Sequence, residues 1–160
     1  MSRTPLRIRK AAVLGAGVMG AQIAAHLANA DVETLLFDLP AKDGDKNGIV
    51  QKALQNLARL SPSPLAEKSK IGAITPANYE DNLEALRDCD LVIEAIAERL
   101  DWKLDLYNRI APYLSDSAVV ASNTSGLSID ALAQALPAGL RPRFSGIHFF
   151  NPPRYMHLVE

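Results

Sequence analysis

The feature that most limits how this chain can fold is a glycine-rich hexapeptide close to its start. Residues 15–20 read GAGVMG and directly follow the short apolar run 11–14. Next comes an alanine-rich stretch, residues 20–30, in which Ile23 and Leu27 lie four residues apart. That spacing is typical of a helix with one apolar face. The sequence therefore predicts a buried strand, a tight turn and a helix in immediate succession.

The glycines of this turn have separate tasks if the turn binds a dinucleotide. The first makes the tight turn, the second lets the backbone approach a pyrophosphate, and the third lets the helix pack close to the sheet. The helix N-terminus offers free N–H groups and a partial positive charge to the phosphates. The alternative is a plain glycine turn without a ligand. The predicted cofactor-binding residues of the turn are Gly15, Gly17, Val18, Met19 and Gly20.

An acidic residue follows the second predicted strand, residues 33–37. Asp38 lies 21 residues after Gly17. A carboxylate at this position can accept hydrogen bonds from both ribose hydroxyls of an adenosine, and it would repel a 2′-phosphate. The sequence therefore predicts NAD as the cofactor in preference to NADP. The alternative is a solvated acidic residue in a turn.

The rest of the chain alternates between predicted helices and predicted strands. After a polar loop at 39–48, helices are predicted over 49–60, 83–87, 102–113 and, capped by Ser128, from 128 to about 136. Strands are predicted over 71–74, 91–93, 118–121 and 144–150. This alternation predicts an α/β fold, a doubly wound and mostly parallel sheet of the Rossmann type, with a helical excursion after the second strand. The Ser-Pro-Ser-Pro cluster at 61–64 is interpreted as a turn inside one domain.

Composition limits the possible partners. The chain has 160 residues and a formal net charge of −1, so it has no basic footprint for nucleic acid. No run approaches the roughly 20 apolar residues that span a bilayer. Residues 1–10 are basic but no apolar signal region follows them, so a cytoplasmic location is expected. Cys89 is the only cysteine, so no intramolecular disulfide can form and no metal site is expected.

Polar residues follow two of the later predicted strands. Residues 122–125 (SNTS) and 148–153 (HFFNPP) both stand where strands end, and open α/β sheets place their ligands at the carboxyl ends of strands. Glu160 comes 12 residues after His148. A histidine paired with a carboxylate is the usual general base near neutral pH. The alternative is that His148 is a buried structural histidine.

From residue 10 to residue 160 the sequence resembles the NAD-binding domain of 3-hydroxyacyl-CoA dehydrogenases, enzymes of fatty-acid β-oxidation. The most specific pieces are the glycine turn at 15–20, EAIAE at 94–98, SNTS at 122–125 and GIHFFNP at 146–152. Residues 125–127 and 151–155 are most similar to long fused members that carry an enoyl-CoA hydratase unit on the same polypeptide.

The resemblance implies roles for individual residues. His148 matches the catalytic base, and Glu160 matches the acid that orients and charges it. Ser125 matches the serine that hydrogen-bonds the substrate oxygen and the nicotinamide side, and Asn151 matches a residue near the nicotinamide.

Three further cofactor contacts follow from the same resemblance. Asp38 matches the carboxylate of the adenosine ribose, in agreement with the argument from its spacing. Glu98 and Lys103 match a pair, five residues apart, that contacts the cofactor. The alternative for this pair is that both side chains are exposed and simply solvated at the start of a helix.

The resemblance also implies a reaction, in which a 3-hydroxyacyl-CoA and NAD give a 3-ketoacyl-CoA and NADH. In the family a helical domain follows, supplies an asparagine to the site, closes over the acyl chain and forms much of the dimer contact. Residues 1–160 are therefore expected to be the NAD-binding domain of a larger protein, able to bind NAD but weakly active or inactive alone. The alternatives are an oxidoreductase of another Rossmann family, such as a β-hydroxyacid dehydrogenase of the 6-phosphogluconate type, and a non-catalytic dinucleotide-binding module.

Overall fold

In the part of the chain that the structure describes, the sheet contains six strands, and every pairing between neighbours is parallel. The structure is a computed structural model that describes residues 6–160, so the first five residues of the basic segment 1–10 lie outside the described part. The strands, in chain order, are β1 (Lys10–Leu14), β2 (Glu33–Asp38), β3 (Ile74–Asn78), β4 (Leu91–Glu94), β5 (Val119–Ser122) and β6 (Phe144–Gly146). Their spatial order is β3-β2-β1-β4-β5-β6. The predicted Rossmann-type sheet is confirmed.

Four α-helices cover the two faces of the sheet: α1 (Val18–Asn29), α2 (Gly48–Leu57), α3 (Leu100–Ile110) and α4 (Ile129–Ala135). Helices α1 and α2 pack with Val13 and Leu36 in one apolar cluster, whereas α3 and α4 pack with Leu14 and Val92 in the other. The interiors of β1, β2, β4 and β5 are buried on both sides, which explains why β1 and β4 read as continuous apolar runs. Among the described helices, none is long and apolar enough to cross a membrane.

The observed helix ends follow local signals that the sequence carries. The Ser128 hydroxyl accepts a hydrogen bond from the Ala131 N–H at 3.3 Å, as expected for an N-cap. The helix predicted over 102–113 ends at Ile110, and residues 111–113 continue it only as a 3₁₀ turn containing Pro112. Residues 83–88 likewise form a 3₁₀ turn in place of the predicted short α-helix.

The third strand begins three residues later and ends four residues later than predicted. Residues 68–73 form a 3₁₀ turn, and the strand is β3, paired with β2 from Ile74 opposite Thr34 to Asn78 opposite Asp38. The sequence of β3 contains Pro76, which cannot donate to a ladder and would argue against a central strand. Since β3 is an edge strand, the missing N–H needs no partner there.

The last strand is much shorter than predicted. It ends at Gly146, and only an isolated bridge between Phe149 and Val159 continues the extended pairing. The Asn123 side chain accepts a hydrogen bond from the Phe149 N–H at 2.9 Å, which draws the chain across the carboxyl end of β5. The prediction of a strand over 144–150 is therefore wrong beyond Gly146, because the Phe149 N–H bonds to the Asn123 side chain and not to the backbone of a neighbouring strand.

The proline-rich segment 61–64 belongs to the domain, as predicted. Asn29 at the end of α1 donates to the Pro64 carbonyl at 2.9 Å and accepts from the Ala66 N–H at 2.8 Å. Arg154 and Tyr155 donate to carbonyls of residues 63–65 from the other side. The segment is thus fastened between α1 and the chain that follows the last strand.

Candidate functional site

The glycine turn joins β1 to α1 in the geometry that its sequence predicts. Gly15 has φ 105°, a conformation that L side chains rarely adopt, and its N–H donates to the Phe37 carbonyl at 2.8 Å. A Cβ on Gly20 would stand 1.7 Å from the carbonyl oxygen of Gly15. Glycine at position 20 therefore allows the first turn of α1 to lie directly against the turn that precedes it.

We expect Gly20→Ala to lower the free energy of unfolding by about 3 kcal/mol, at the upper end of the cost of overpacking a tight contact. The methyl group meets a backbone oxygen that can move only if the turn itself moves. Urea denaturation followed by circular dichroism measures the change. Gly139→Ala is the matched control, since no atom lies within 4 Å of its added Cβ. Equal stability of the two variants would contradict the close packing described here.

Gly17 is open where the other two glycines are tightly packed. No atom lies within 4 Å of the position that its Cβ would take, and Gly17 borders two cavities. It is the N-cap of α1, whose first turn has no acidic residue and no side-chain cap. The first N–H groups of the helix are therefore free for an anionic ligand. Protein packing does not require a glycine at position 17, whereas a diphosphate lying against the backbone would.

Asp38 is fixed beside this turn at the end of β2. Its Oδ2 accepts from the Ala16 N–H and its Oδ1 accepts from the Leu39 N–H, each at 2.7 Å. A carboxylate oxygen can accept more than one hydrogen bond, so both oxygens can still receive ribose hydroxyls. The interpretation of Asp38 as a loosely solvated turn residue does not fit these two backbone contacts.

The first cavity, of about 520 Å³, lies between the glycine turn and α3. Gly15, Gly17 and Asp38, three of the residues predicted to bind the cofactor, border one side of it. Its opposite wall was not foreseen from the sequence and contains Tyr79, Trp102, Leu106 and Arg109. Trp102 is half-exposed at the rim of this cavity, a position that only the tertiary structure reveals. The mainly apolar wall has the size and character to receive a nucleobase.

The second cavity, of about 490 Å³, brings together most of the predicted site residues. It lies at the carboxyl ends of β1, β4 and β5, on the other side of Gly17 from the first cavity. Residues 95–97 and Asn123 also form its walls; they belong to motifs that carry the family resemblance, but the sequence analysis gave them no role in the site. The predicted residues that border it are Gly17, Val18, Met19, Glu98, Ser125, His148 and Asn151.

His148 faces Glu160 across a short antiparallel backbone pairing. The His148 N–H donates to the Glu160 carbonyl at 2.7 Å, and the Glu160 N–H donates back at 3.0 Å. The His148 Nδ1 and the Glu160 Oε2 lie 3.6 Å apart. His148 is only partly buried and stands in the cavity wall, which does not fit a purely structural histidine.

Glu98 fastens the segment that carries Ser125. Its Oε2 accepts from the Thr124 hydroxyl at 2.6 Å, and its Oε1 accepts from the Ser125 N–H at 3.3 Å. The Thr124 hydroxyl in turn accepts from the Leu127 N–H at 3.1 Å. Glu98 is therefore an ordered part of the cavity wall, and the Ser125 side chain makes no hydrogen bond within the described residues.

Lys103 has a different environment from the one that the sequence suggests. The side chain is 1% exposed, and its ammonium lies 2.6 Å from the Glu94 carboxylate and 3.4 Å from the Ile96 carbonyl oxygen. The alternative of an exposed, solvated pair with Glu98 is therefore wrong for Lys103. The sequence could not show this, because Glu94 lies on a strand and Lys103 on the next helix. A cofactor contact by Lys103 stays a prediction.

Asn151 lies at the far end of the second cavity, where its Oδ1 accepts from the Gln22 side chain at 3.4 Å. Gln22 belongs to α1 and is buried, so the contact connects the glycine-turn helix to the segment that follows His148.

Within the described residues no cluster of His, Cys, Asp and Glu could hold a metal ion.

Two lysines in the segment between β2 and β3 form surface ion pairs. Lys46 contacts Glu80 and Asp81, both at about 3 Å, and Lys70 contacts Asp31. Lys52 borders a groove of about 400 Å³ between α1 and α2 that reaches Gly17.

These features match one family of enzymes. Residues 10–160 match the family model described as 3-hydroxyacyl-CoA dehydrogenase, NAD binding domain. The chain belongs to this family. The match covers the glycine turn, Asp38 and the whole second cavity, and it favours this family over the other Rossmann oxidoreductases considered from the sequence. The description of the family indicates NAD as the cofactor.

Individual relatives agree with the family match. The chain is 50% identical over 154 residues to a protein from Rickettsia felis named as a fatty acid oxidation complex trifunctional enzyme, covering 96% of this chain and 21% of that protein. It is 41% identical over 155 residues to a 3-hydroxybutyryl-CoA dehydrogenase from Bradyrhizobium diazoefficiens, covering 96% of this chain and 51% of the relative. Among solved structures, 3-hydroxybutyryl-CoA dehydrogenase from Escherichia coli superposes with a TM-score of 0.79 at 31% identity, over 96% of this chain and 32% of that one. The chain thus spans between a fifth and a half of the length of these proteins.

Proposed function

We propose that this chain is the NAD-binding part of an enzyme that oxidises 3-hydroxyacyl-CoA to 3-ketoacyl-CoA. The observation that carries the proposal is the second cavity, where His148, Ser125 and Asn151 border the same space as the open glycine of the turn. A base, a hydroxyl and an amide beside a dinucleotide-binding turn are the groups needed to orient and deprotonate an alcohol next to a hydride acceptor.

The cofactor contacts follow from the two cavities. Gly15 and Gly17 would hold the diphosphate of NAD at the N-terminus of α1, and Asp38 would accept the hydroxyls of the adenosine ribose. Val18, Met19 and Gly20 complete the turn. Glu98, Ser125 and Asn151 would hold the nicotinamide half, and NAD, when bound, would supply the hydride acceptor.

His148 acts as the general base. Its Nδ1 faces Glu160, which leaves Nε2 for the 3-hydroxyl proton of the substrate. The proton moves to Nε2 as the C3 hydride departs, and the imidazolium that forms is stabilised by the Glu160 carboxylate. Such general-base help accelerates reactions by about 10²–10⁴-fold.

Ser125 and Glu98 position the reacting groups. The Ser125 hydroxyl donates to the substrate oxygen while Glu98 holds its backbone N–H. Lys103 acts on the cofactor from behind the cavity wall, through the Ile96 carbonyl that its ammonium contacts.

The remaining assignments rest on the family. We place the chain in a larger, cytoplasmic protein of fatty-acid β-oxidation, in which a following helical domain covers the acyl chain and contributes to a dimer. The Rickettsia felis relative, of which this chain covers 21%, is named as a trifunctional enzyme, which supports further catalytic units on the same polypeptide.

Binding of NADH to the isolated chain tests the proposal. Trp102 is the only tryptophan and borders the first cavity, so bound NADH should quench its emission and gain fluorescence by energy transfer. We expect saturable binding, together with oxidation of NADH by acetoacetyl-CoA far slower than in a complete relative. Gly17→Asp places a carboxylate where the diphosphate lies, and it is expected to abolish the signal. Absence of binding by the folded chain would contradict the proposed cofactor role, and a rate near that of a complete relative would contradict the need for a further domain.

A further inference from the structure

The buried carboxylate of Glu94 forms hydrogen bonds with the segments that build the cavity walls. Glu94, the last residue of β4, is 0% exposed and accepts four hydrogen bonds. Its Oε1 receives the Lys103 ammonium at 2.6 Å and the Ile96 N–H at 2.8 Å. Its Oε2 receives the hydroxyls of Tyr107 at 2.8 Å and Ser122 at 2.7 Å.

Burying the charged groups of Glu94 and Lys103 costs free energy, so stability alone does not explain why they are there. A buried charge must be paired and hydrogen-bonded, and well-packed apolar residues can often replace a buried ion pair without loss of stability. Burial raises the pKa of the Tyr107 hydroxyl above its ordinary value, so the hydroxyl keeps its proton and donates. Glu94 borders neither cavity, so it acts on a ligand only through its partners.

Two of the four partners lead directly to the cavity walls. The Ile96 N–H fixes the segment 95–97, which borders both cavities. The Ser122 hydroxyl also accepts the Thr124 N–H at 3.3 Å, and the Thr124 hydroxyl donates to Glu98. Glu94 is thus connected to Glu98 through a continuous chain of hydrogen bonds.

The other two partners, Lys103 and Tyr107, lie on α3. Lys103 neutralises the charge and reaches the Ile96 carbonyl, whereas Tyr107 packs edge-on against Phe144 at a centroid distance of 5.8 Å and borders neither cavity. The same carboxylate therefore has a branch that points to the site and a branch that points to the core.

We propose that Glu94 is a positioning residue: its carboxylate holds segments 95–98 and 122–125 in the conformation that receives the dinucleotide. The inference rests on the proposed function, because the ligand that benefits is the cofactor assigned to these cavities. Ordering the two segments in advance spares NAD binding the entropy of ordering them.

Two substitutions of residues that donate to the Glu94 Oε2 separate an effect on positioning from an effect on stability. Ser122→Ala removes the branch to the cavity wall, and Tyr107→Phe removes the branch to the core. Each substitution removes one hydroxyl hydrogen bond to this oxygen. We expect similar losses of unfolding free energy. We expect the Kd for NADH, measured by Trp102 energy transfer well below the melting temperature, to rise about tenfold in Ser122→Ala and less than twofold in Tyr107→Phe. Amide exchange at Thr124 should accelerate only in Ser122→Ala.

A double variant tests the Glu94 carboxylate itself, and it remains informative where the protein tolerates the loss of a single hydroxyl hydrogen bond. Glu94→Gln combined with Lys103→Met removes both buried charges and leaves no unpaired ion. We expect a folded chain that binds NADH at least tenfold more weakly than the wild type. Equal NADH affinity in Ser122→Ala and Tyr107→Phe, or wild-type affinity in the folded double variant, would overturn the inference. Failure of the wild-type chain to bind NADH would instead overturn the proposed function, and the inference with it.

Discussion

Replacing His148 by glutamine is expected to lower kcat by about 10²–10⁴-fold, the contribution of a positioned general base. The measurement uses a fusion in which this chain replaces the matching half of the Bradyrhizobium diazoefficiens 3-hydroxybutyryl-CoA dehydrogenase, assayed by oxidation of NADH with acetoacetyl-CoA. Glutamine retains a polar side chain of similar length but cannot take up the proton. The Kd for NADH should stay within about twofold of the wild-type value, since the loss falls on the chemical step.

His157→Gln is the matched control, because His157 is exposed and borders neither cavity. It should leave kcat unchanged in the same fusion. An unchanged kcat in His148→Gln would remove the general-base role assigned to His148 and, with it, the role assigned to Glu160.

Replacing Asp38 by alanine is expected to weaken NADH binding about 100-fold. The carboxylate is held by two backbone N–H groups and faces the first cavity, and hydrogen bonds to a charged acceptor contribute roughly 1.5–3 kcal/mol each. The preference for NADH over NADPH should narrow by at least about tenfold, because the variant no longer repels the 2′-phosphate. Titration of the chain with each cofactor measures both effects.

Asp43→Ala makes the same change of charge in the exposed loop after β2 and should leave both affinities unaltered. A matching loss in Asp43→Ala would mean that overall charge, and not a contact at position 38, controls affinity. An Asp38→Ala chain that binds NADH as tightly as the wild type would remove the assignment of the first cavity to the adenosine half.

The family resemblance brought residues from distant parts of the sequence into one predicted site. Seven of the predicted residues border the second cavity, and Asp38 borders the first, as its spacing from Gly17 indicates. Glu160 lies opposite His148 because their backbones pair, and no local sequence pattern predicts this pairing. The range of β3 was mispredicted because an edge strand tolerates Pro76. The end of β6 was mispredicted because a side chain of another segment accepts the hydrogen bond of the Phe149 N–H.

What the sequence determined by itself is local: the turn that only glycine can make, the apolar runs of strands buried on two faces, and the acid at the end of the second strand. These follow from backbone conformation and from hydrophobic periodicity over a few residues. Only the tertiary structure decided that Lys103 turns inward to Glu94, and that Tyr79, Trp102 and Arg109 form one wall. A buried charge needs a partner, and that partner is chosen by which strand and helix come to lie side by side, so residue types along the chain cannot reveal it.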